Sequence, residues 1–122
     1  MRALVVDDYR LARKYLREIL MEGCGFAEVD EAEDGEAALE LLGGADYDLV
    51  ILDIDMPRRD GLSLLAEAAP TRPRCSFIVL SGLPERDYAE RALRLGAVAY
   101  LKKGCPPEAI AETAIAATRG RP

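Results

Sequence analysis

The 122-residue sequence predicts an α/β fold in which a doubly wound, five-stranded parallel sheet carries helices on both faces. Three observations predict it. Strand-type and helix-type hydrophobic patterns alternate along the whole chain, most of the strand-type runs are continuously apolar, and glycine or proline marks most boundaries. Each return to a parallel strand requires a crossover, so the alternation places helices on both sides of the sheet. The length suits one domain, and we expect residues 1–122 to form it.

The first half of the chain contributes three predicted strands and two predicted helices. Residues 3–6 form the first strand, and the helix after them ends near Gly23. Its apolar residues recur at helical spacing and are Leu11, Ala12, Tyr15, Leu16, Ile19 and Leu20. Residues 26–33 are a short strand of mixed polarity, and an Asp-Gly pair leads into a helix over residues 36–42 that a Gly-Gly pair ends. The apolar run up to Asp53 is the third strand.

The second half follows the same alternation. A second Asp-Gly pair opens a helix over residues 61–69, which Pro70 and Pro73 break. The remaining predicted elements are a strand at 76–80, a helix from Pro84 to residue 95 capped by Gly96, a strand at 97–101, and a helix from Pro106 to about residue 119.

Chemically active side chains follow the carboxyl ends of the predicted strands. Asp7 and Asp8 follow the first strand, Asp53 follows the third, Ser81 the fourth and Lys103 the fifth. In doubly wound sheets the binding crevice lies off these strand ends, at the topological switch point. Three carboxylates in one cleft repel each other unless a hard divalent cation or a proton neutralises them, and Mg²⁺ prefers oxygen ligands. The sequence therefore predicts a Mg²⁺ site at this edge.

Composition excludes several functions. The chain has no histidine, which removes histidine-dependent nucleophilic catalysis, histidine-containing zinc sites and a phosphohistidine carrier. The net charge of −6 opposes direct contact with nucleic acid. The three cysteines are odd in number and far apart, which indicates reduced thiols. No apolar stretch approaches the ~20 residues of a membrane span, and we expect a cytoplasmic protein without membrane contact.

Four segments, in order along the chain, resemble the receiver domain of two-component response regulators. They are residues 5–8 (VVDD), 52–61 (LDIDMPRRDG), 78–82 (IVLSG) and 96–103 (GAVAYLKK). The resemblance covers nearly the whole chain and implies a flavodoxin-like (βα)₅ fold with strand order 2-1-3-4-5. It also implies a phosphorylation-dependent signalling switch, which catalyses its own phosphorylation and dephosphorylation only and is not a turnover enzyme.

The resemblance also assigns the metal ligands. Asp53 is the phosphoacceptor and, with Asp8, binds Mg²⁺ directly. Asp7 binds the ion through water, and the main-chain carbonyl of Asp55 completes the set of ligands that the protein supplies.

The remaining assignments concern charge screening and output. Lys103, chosen over Lys102 by the family spacing alone, screens charge on the transferring phosphoryl group. Ser81 hydrogen-bonds a phosphoryl oxygen, and Tyr100 fills the space that an inward movement of Ser81 opens. This movement links the site to the face built by the fourth helix, fifth strand and fifth helix.

Plainer interpretations of single residues stay open at this stage. They are a helix N-cap for Asp7 and Asp8, a loop hydroxyl for Ser81, half-buried packing for Tyr100, and a solvated acid or a modulator of water attack for Asp55. Three residues depart from the family pattern, and one of them is Asp55, which adds a fourth acid near the site. Tyr9 stands where a small polar or acidic residue is commoner, and Gly104 stands where many receivers have proline.

By the same resemblance, the partner is a histidine kinase or a phosphotransfer protein. The first helix carries a basic stripe on its outer side, either a docking surface or a solvated face, formed by Arg10, Arg13, Lys14 and Arg17. The last helix, residues 108–118, is apolar around much of its circumference and is expected to contact a second copy or an output domain. Residues 119–122 resemble the start of a linker, so the chain is either the receiver of a helix-turn-helix transcription regulator or a stand-alone relay protein.

Two other functions are weighed against this one. A haloacid-dehalogenase-type phosphatase also uses an aspartate two residues before another, as Asp53 and Asp55 stand here, but Met56 and Pro57 do not fit its motif and the chain is short for its fold. A receiver-like interaction module that is never phosphorylated is disfavoured because all the expected site residues are present.

Overall fold

The computed structural model describes residues 1–56 and 60–119, whose five strands form one parallel sheet in the order 2-1-3-4-5. The strands are β1 (Arg2–Val6), β2 (Glu28–Ala32), β3 (Leu49–Leu52), β4 (Ser76–Ser81) and β5 (Ala97–Lys102). The helices are α1 (Arg10–Glu18), α2 (Gly35–Gly44), α3 (Gly61–Ala68), α4 (Glu85–Arg94) and α5 (Pro107–Ala117). The predicted fold class and strand order are confirmed. Residues 57–59 of the predicted phosphoacceptor segment and residues 120–122 of the predicted linker lie outside the described residues.

Side chains of the sheet alternate between two hydrophobic clusters, one on each face. Along β3, Leu49 and Ile51 belong to the cluster beneath α1 and α5, whereas Val50 and Leu52 belong to the cluster beneath α2, α3 and α4. All four side chains are inaccessible to solvent or nearly so, and each such burial stabilises the fold by roughly 2 kcal/mol. Because both faces of β3 are covered, the strand has no polar position until it ends.

The first helix differs from its predicted form. Regular α-helix stops at Glu18, and Ile19–Gly23 continue as a π-helical turn. Leu16 is buried as expected, but Leu11 and Tyr15 are 58% and 44% exposed. Helical spacing alone does not distinguish these two residues from the buried ones. Leu11 and Tyr15 lie one position before Ala12 and Leu16, so their stripe is rotated by about 100° around the helix axis from the stripe that contains Leu16. Only the stripe that contains Leu16 faces the sheet.

Capping chemistry explains several of the helix boundaries. Asp34 and Asp60 cap α2 and α3, since each carboxylate accepts a backbone N–H from the third residue along, at 2.8 and 2.9 Å. The prediction that the Gly-Gly pair ends α2 was wrong. The pair belongs to the last turn of the helix, which ends at Ala45, where the backbone is extended. Gly96 ends α4 as predicted, with φ of +119°. In the described part of the chain, no helix is long and apolar enough to cross a membrane.

One extra residue in β5 determines which side chains end that strand. Val98 lies between Ala97 and Ala99, whose partners in β4 are consecutive, so the register shifts by one residue there. Such a bulge exchanges the two faces for every later residue of the strand. The shift brings Lys102 opposite Ser81 and lets the chain leave β5 at Lys102, directly beside the end of β4.

Replacement by alanine is expected to change the free energy of unfolding in opposite directions at two glycines. Gly96 has φ of +119°, and a Cβ there would lie 2.8 Å from the Cβ of Ala69. Gly96→Ala should therefore lower the free energy of unfolding by about 1–3 kcal/mol, through backbone strain and overlap. Gly43 lies in α2 with open space around it, so Gly43→Ala should raise that free energy by about 0.5–1 kcal/mol. Urea unfolding of both variants measures the two changes, and stabilisation by Gly96→Ala would contradict the assigned backbone conformation.

Candidate functional site

The ends of β1 and β3 bring two buried carboxylates side by side. Val6 pairs with Leu52, so Asp7 and Asp53 leave adjacent strands at the same level. The Asp7 N–H donates to the carbonyl of Ala32 at 3.1 Å, and the Asp53 N–H donates to the carbonyl of Val6 at 2.9 Å. The two residues are 1% and 4% exposed. Strand pairing therefore fixes the backbone of both acids.

Asp8 adds a third carboxylate to this pair. Asp8 is exposed, yet one oxygen from each of Asp7, Asp8 and Asp53 lies within 4.8 Å of the others. These donors are hard anionic oxygens, two from buried residues and one open to solvent. Such a set fits Mg²⁺, which prefers oxygen ligands and keeps part of its water shell. It lacks the nitrogen and sulfur donors that zinc sites use.

Helix capping does not account for the acidic pair. The N-cap of α1 is Tyr9, and no side chain caps that helix. Asp7 Oδ1 instead accepts the backbone N–H of Tyr9 at 2.9 Å, one residue before the helix starts. The Tyr9 side chain is 60% exposed.

The ammonium of Lys103 bridges the two buried acids. Its Nζ is 2.9 Å from Asp7 Oδ2 and 3.1 Å from Asp53 Oδ2. Its backbone N–H donates to the carbonyl of Ser81 at 2.8 Å, which continues the pairing of β4 and β5. Burial opposes the charge of the ammonium, but the hydrogen bonds to the two carboxylates outweigh it and raise the pKa of Lys103. Since Lys102 is exposed, the structure gives a physical reason for choosing Lys103.

Both carboxylate oxygens of Asp53 have a donor. Oδ1 accepts the backbone N–H of Asp55 at 3.1 Å, and Oδ2 faces Lys103. Burial nevertheless raises the pKa of Asp53, because it disfavours the charged form more than these hydrogen bonds favour it, and the charge of Asp7 adds to the increase. Additional positive charge at this site would therefore stabilise the ionised form of Asp53.

Gly61 permits α3 to start against the Asp53 backbone. Its N–H donates to the carbonyl of Ile54 at 3.2 Å. A Cβ at this position would overlap the carbonyl oxygen of Asp53 and the Cα of Ile54, which are backbone atoms that cannot move aside easily. The sequence pattern assigned Gly61 only to the opening of a helix, so this close approach was missed; the Asp-Gly pair at the helix start was its one visible signal.

The two predicted switch residues both bind the backbone of Leu83. Ser81 is fully buried, and its Oγ accepts the Leu83 N–H at 3.0 Å. The Tyr100 hydroxyl donates to the Leu83 carbonyl at 3.1 Å. The loop between β4 and α4 is therefore held at one residue from two sides. The plainer interpretations, a loop hydroxyl for Ser81 and half-buried packing for Tyr100, therefore describe these two side chains incompletely.

The predicted site residues do not all come together. Asp7, Asp8, Asp53 and Lys103 do, and Ser81 is joined to them through its carbonyl bond to Lys103. Asp55 is exposed and meets Asp53 through its backbone N–H, so its carbonyl as a metal ligand stays a prediction.

Arg13 is a site neighbour that the sequence pattern misplaced. The pattern put Arg13 on the outer side of α1, but its side chain is only 13% exposed and its Nη1 donates to the Asp7 carbonyl at 2.7 Å. The sequence carries no signal that separates Arg13 from the other basic residues of this helix, because the contact depends on the conformation of the loop before it.

Comparison with known proteins relates most of the chain to one family. Residues 3–115 match the family model of the response regulator receiver domain. Transcriptional regulatory protein PdtaR of Mycobacterium tuberculosis is 44% identical over 102 residues, which cover 84% of this chain and 49% of PdtaR. Chemotaxis protein CheY of Halobacterium salinarum is 37% identical over 100 residues, which cover 82% of each protein. The chain thus spans about half the length of PdtaR.

Solved structures agree with this relationship. The signal receiver domain of a response regulator NarL from Mycobacterium tuberculosis superposes with a TM-score of 0.88 at 30% identity, covering 98% of this chain and 97% of that one. The receiver domain of AraT, a response regulator from Geobacillus stearothermophilus, superposes with a TM-score of 0.85 at 36% identity, covering 96% and 92%.

Replacement of Asp53 by asparagine is expected to stabilise the metal-free protein. Because the pKa of Asp53 is raised in the folded state, folding favours its protonated form, and stability falls as the pH rises through that pKa. Asp53→Asn removes the buried charge and with it this penalty, so at pH 7 it should raise the free energy of unfolding, by on the order of 1 kcal/mol as is usual for a single substitution. Urea unfolding with a chelator measures the difference, which should shrink as the pH falls and Asp53 becomes protonated.

Asp55→Asn is the matched control. It makes the same change at an exposed acid two residues away, and its effect should stay within about 0.5 kcal/mol at every pH. Equal effects from the two substitutions would show that general charge, and not the burial of Asp53, determines the result.

Proposed function

The chain belongs to the response regulator receiver family, and we propose that it is a phosphorylation-dependent signalling switch that accepts a phosphoryl group on Asp53. The observation that carries the proposal is the Lys103 ammonium between buried Asp7 and Asp53, with the Asp8 carboxylate beside them. This group offers a nucleophile, further acids for a cation, and a fixed positive charge. Phosphoryl transfer depends mainly on such positioning and charge neutralisation.

We assign Mg²⁺ to the acidic group. Asp8 and Asp53 would bind the ion directly, Asp7 through water, and the main-chain carbonyl of Asp55 would complete the set. When bound, Mg²⁺ supplies positive charge to the phosphoryl oxygens. The hard oxygen donors and the raised pKa of Asp53 support this assignment.

The transfer step follows from the ionised carboxylate. An oxygen of Asp53 attacks the phosphorus of a phosphohistidine, the new O–P bond forms, and the P–N bond breaks with its electron pair leaving on the imidazole. The imidazole belongs to the donor, because this chain has no histidine. Lys103 keeps its second bond, to Asp7, and so stays beside the modified Asp53 with its charge toward the new group.

Output would then run through Leu83. The Ser81 hydroxyl accepts from the Leu83 N–H and keeps its own proton to donate to a phosphoryl oxygen. A movement of Ser81 toward that oxygen pulls on Leu83, to which Tyr100 is also bonded. A hydrogen bond to a charged group is worth about 1.5–3 kcal/mol, against about 1 kcal/mol for a neutral one. The new contact can therefore rearrange the loop and the surface formed by α4, β5 and α5.

The biological setting is also a proposal. The relatives include transcriptional regulatory proteins, a chemotaxis protein and a protein-glutamate methylesterase, so this kind of domain occurs with different outputs. Receiver domains are signalling domains, and we propose no activity beyond self-phosphorylation and dephosphorylation. The donor would be a histidine kinase or phosphotransfer protein in the cytoplasm. Output to a second copy or to a transcription-regulating domain would use α5, where Ile115 is 44% exposed.

Phosphorylation by a small phosphodonor tests the assignment of Asp53. With Mg²⁺, the wild type should become a stoichiometric phosphoprotein that is stable in acid and labile in base, detected by intact-mass spectrometry. Asp53→Asn should abolish the modification because it removes the nucleophile. Lys103→Ala should slow it by about 10²-fold, because it removes a preorganised charge from the transition state.

Asp55→Asn is the control and should remain a phosphoprotein. Steady hydrolysis of a phosphate ester that needs both Asp53 and Asp55 would support the phosphatase instead. A folded wild type that takes no phosphoryl group and binds no Mg²⁺ at millimolar concentration would support the interaction module.

The proposed path through Leu83 can be tested separately. In the wild type, phosphorylation should shift the backbone amide resonance of Leu83 in NMR spectra. Ser81→Ala removes the hydroxyl that bonds Leu83 and should reduce this shift severalfold, while Asp53 is still modified. Tyr15→Phe, at an exposed tyrosine on α1, should leave it unchanged. A shift of wild-type size in phosphorylated Ser81→Ala would contradict the path.

A further inference from the structure

Arg13 connects the edge of the sheet to the loop that carries the acidic pair. Its Nη1 donates to the Asp7 carbonyl at 2.7 Å, and its Nε donates to Glu31 Oε1 at 3.0 Å. The side chain is 13% exposed, whereas that of Arg17, which also meets Glu31, is 48% exposed. Arg13 is therefore held between two acceptors and is not a member of a solvated stripe.

The carbonyl that Arg13 holds determines where the Asp8 side chain begins. The peptide bond between Asp7 and Asp8 is planar, so the direction of its carbonyl fixes the positions of the Asp8 nitrogen and Cα. The Asp7 carboxylate is already held by the Tyr9 N–H and Lys103. The Asp8 side chain is exposed, so burial restricts it less than it restricts Asp7 and Asp53. The orientation of this peptide is thus the main restraint on the third carboxylate.

Glu31 gives this restraint a rigid anchor. It lies in β2 opposite Val5 of β1, and its second carboxylate oxygen accepts from Arg17 at 3.5 Å. The guanidinium is a planar fork that can serve two acceptors at once, which an ammonium on a flexible stem does less well. The strand, and not the loop, therefore sets the direction of the Arg13 side chain.

We propose that Arg13 is a positioning residue of the Mg²⁺ site and acts through the peptide bond between Asp7 and Asp8. This inference rests on the proposed function, because it concerns the ion assigned to the same acids. Groups that orient metal ligands typically contribute 10–100-fold to metal affinity.

Position and charge predict opposite effects of removing Arg13. As a cation near a cation site, Arg13 repels Mg²⁺, so its loss would strengthen binding if charge alone mattered. As a positioning residue it holds Asp8 in place, so its loss weakens binding. The sign of the change in affinity therefore separates the two effects.

Isothermal titration of the whole chain with Mg²⁺ is the test. Arg13→Ala should weaken binding by about 10-fold. Arg17→Ala removes an equal charge and a bond to the same glutamate but leaves the Asp7 carbonyl bond intact, so it should leave the affinity within about twofold of the wild type or slightly tighter. Urea unfolding with a chelator confirms that the variants are folded. If Arg13→Ala does not fold, Arg13→Lys and Arg17→Lys replace the pair, and Arg13→Lys alone should weaken binding.

Unchanged or tighter Mg²⁺ binding by the Arg13 variant overturns the inference, as does equal weakening by both variants. Failure of the wild type itself to bind Mg²⁺ is a different outcome, which removes the metal assignment of the proposed function and the inference with it. A metal-free NMR spectrum adds a readout that does not need the ion: the Asp8 amide resonance should shift more in the Arg13 variant than in the Arg17 variant.

Discussion

The charge balance around Lys103 is the constraint on which the rest of the site depends. Two buried carboxylates at adjacent strand ends are unfavourable without a counter-charge, and Lys103 lies within 3.1 Å of both. With Asp8, three negative charges face one positive charge, which leaves a net charge of −2 on the group. The chain can therefore fold with the lysine as counter-ion and still favour a divalent cation. In the proposed function, this incomplete neutralisation is what makes the site responsive to Mg²⁺ and to phosphorylation.

The pairing of the strands, more than the structure of the loops, brings these charged groups together. The pairing of Val6 with Leu52 sets Asp7 and Asp53 level with each other. The extra residue Val98 shifts β5 by one position, and the chain then enters the site at Lys103, whose backbone bonds the end of β4. A one-residue change of register would move the lysine to the other face of the strand, so the bulge is a condition for the ion pair.

The sequence predicted what depends on local pattern and on the general geometry of parallel sheets. Continuous apolar runs identified the buried strands, and the first polar residues after them identified Asp7, Asp53 and Ser81. What could not be predicted depends on contacts between distant elements. The spacing of Leu11 along α1 does not tell which stripe faces the sheet, and the bond of Arg13 to the Asp7 carbonyl requires the loop conformation itself. The choice between Lys102 and Lys103 came from resemblance alone, because the register shift that decides it is not visible in the sequence.

Two separate sets of contacts reach the site from opposite sides of the sheet centre, and this separation suits a switch. Arg13 and Glu31 hold the acidic loop from the side of β2, whereas Ser81 and Tyr100 hold Leu83 from the side of β4 and β5. The two sets share no residue, and the bond that links Ser81 to the acidic group runs from the Lys103 N–H to the Ser81 carbonyl and does not involve the backbone of the acids. In the proposed function, a phosphoryl group that displaces Ser81 would thus move the loop at Leu83 while the acids keep the geometry needed to hold the cation. A site whose acids moved with the loop would lose part of its affinity for the cation each time it switched.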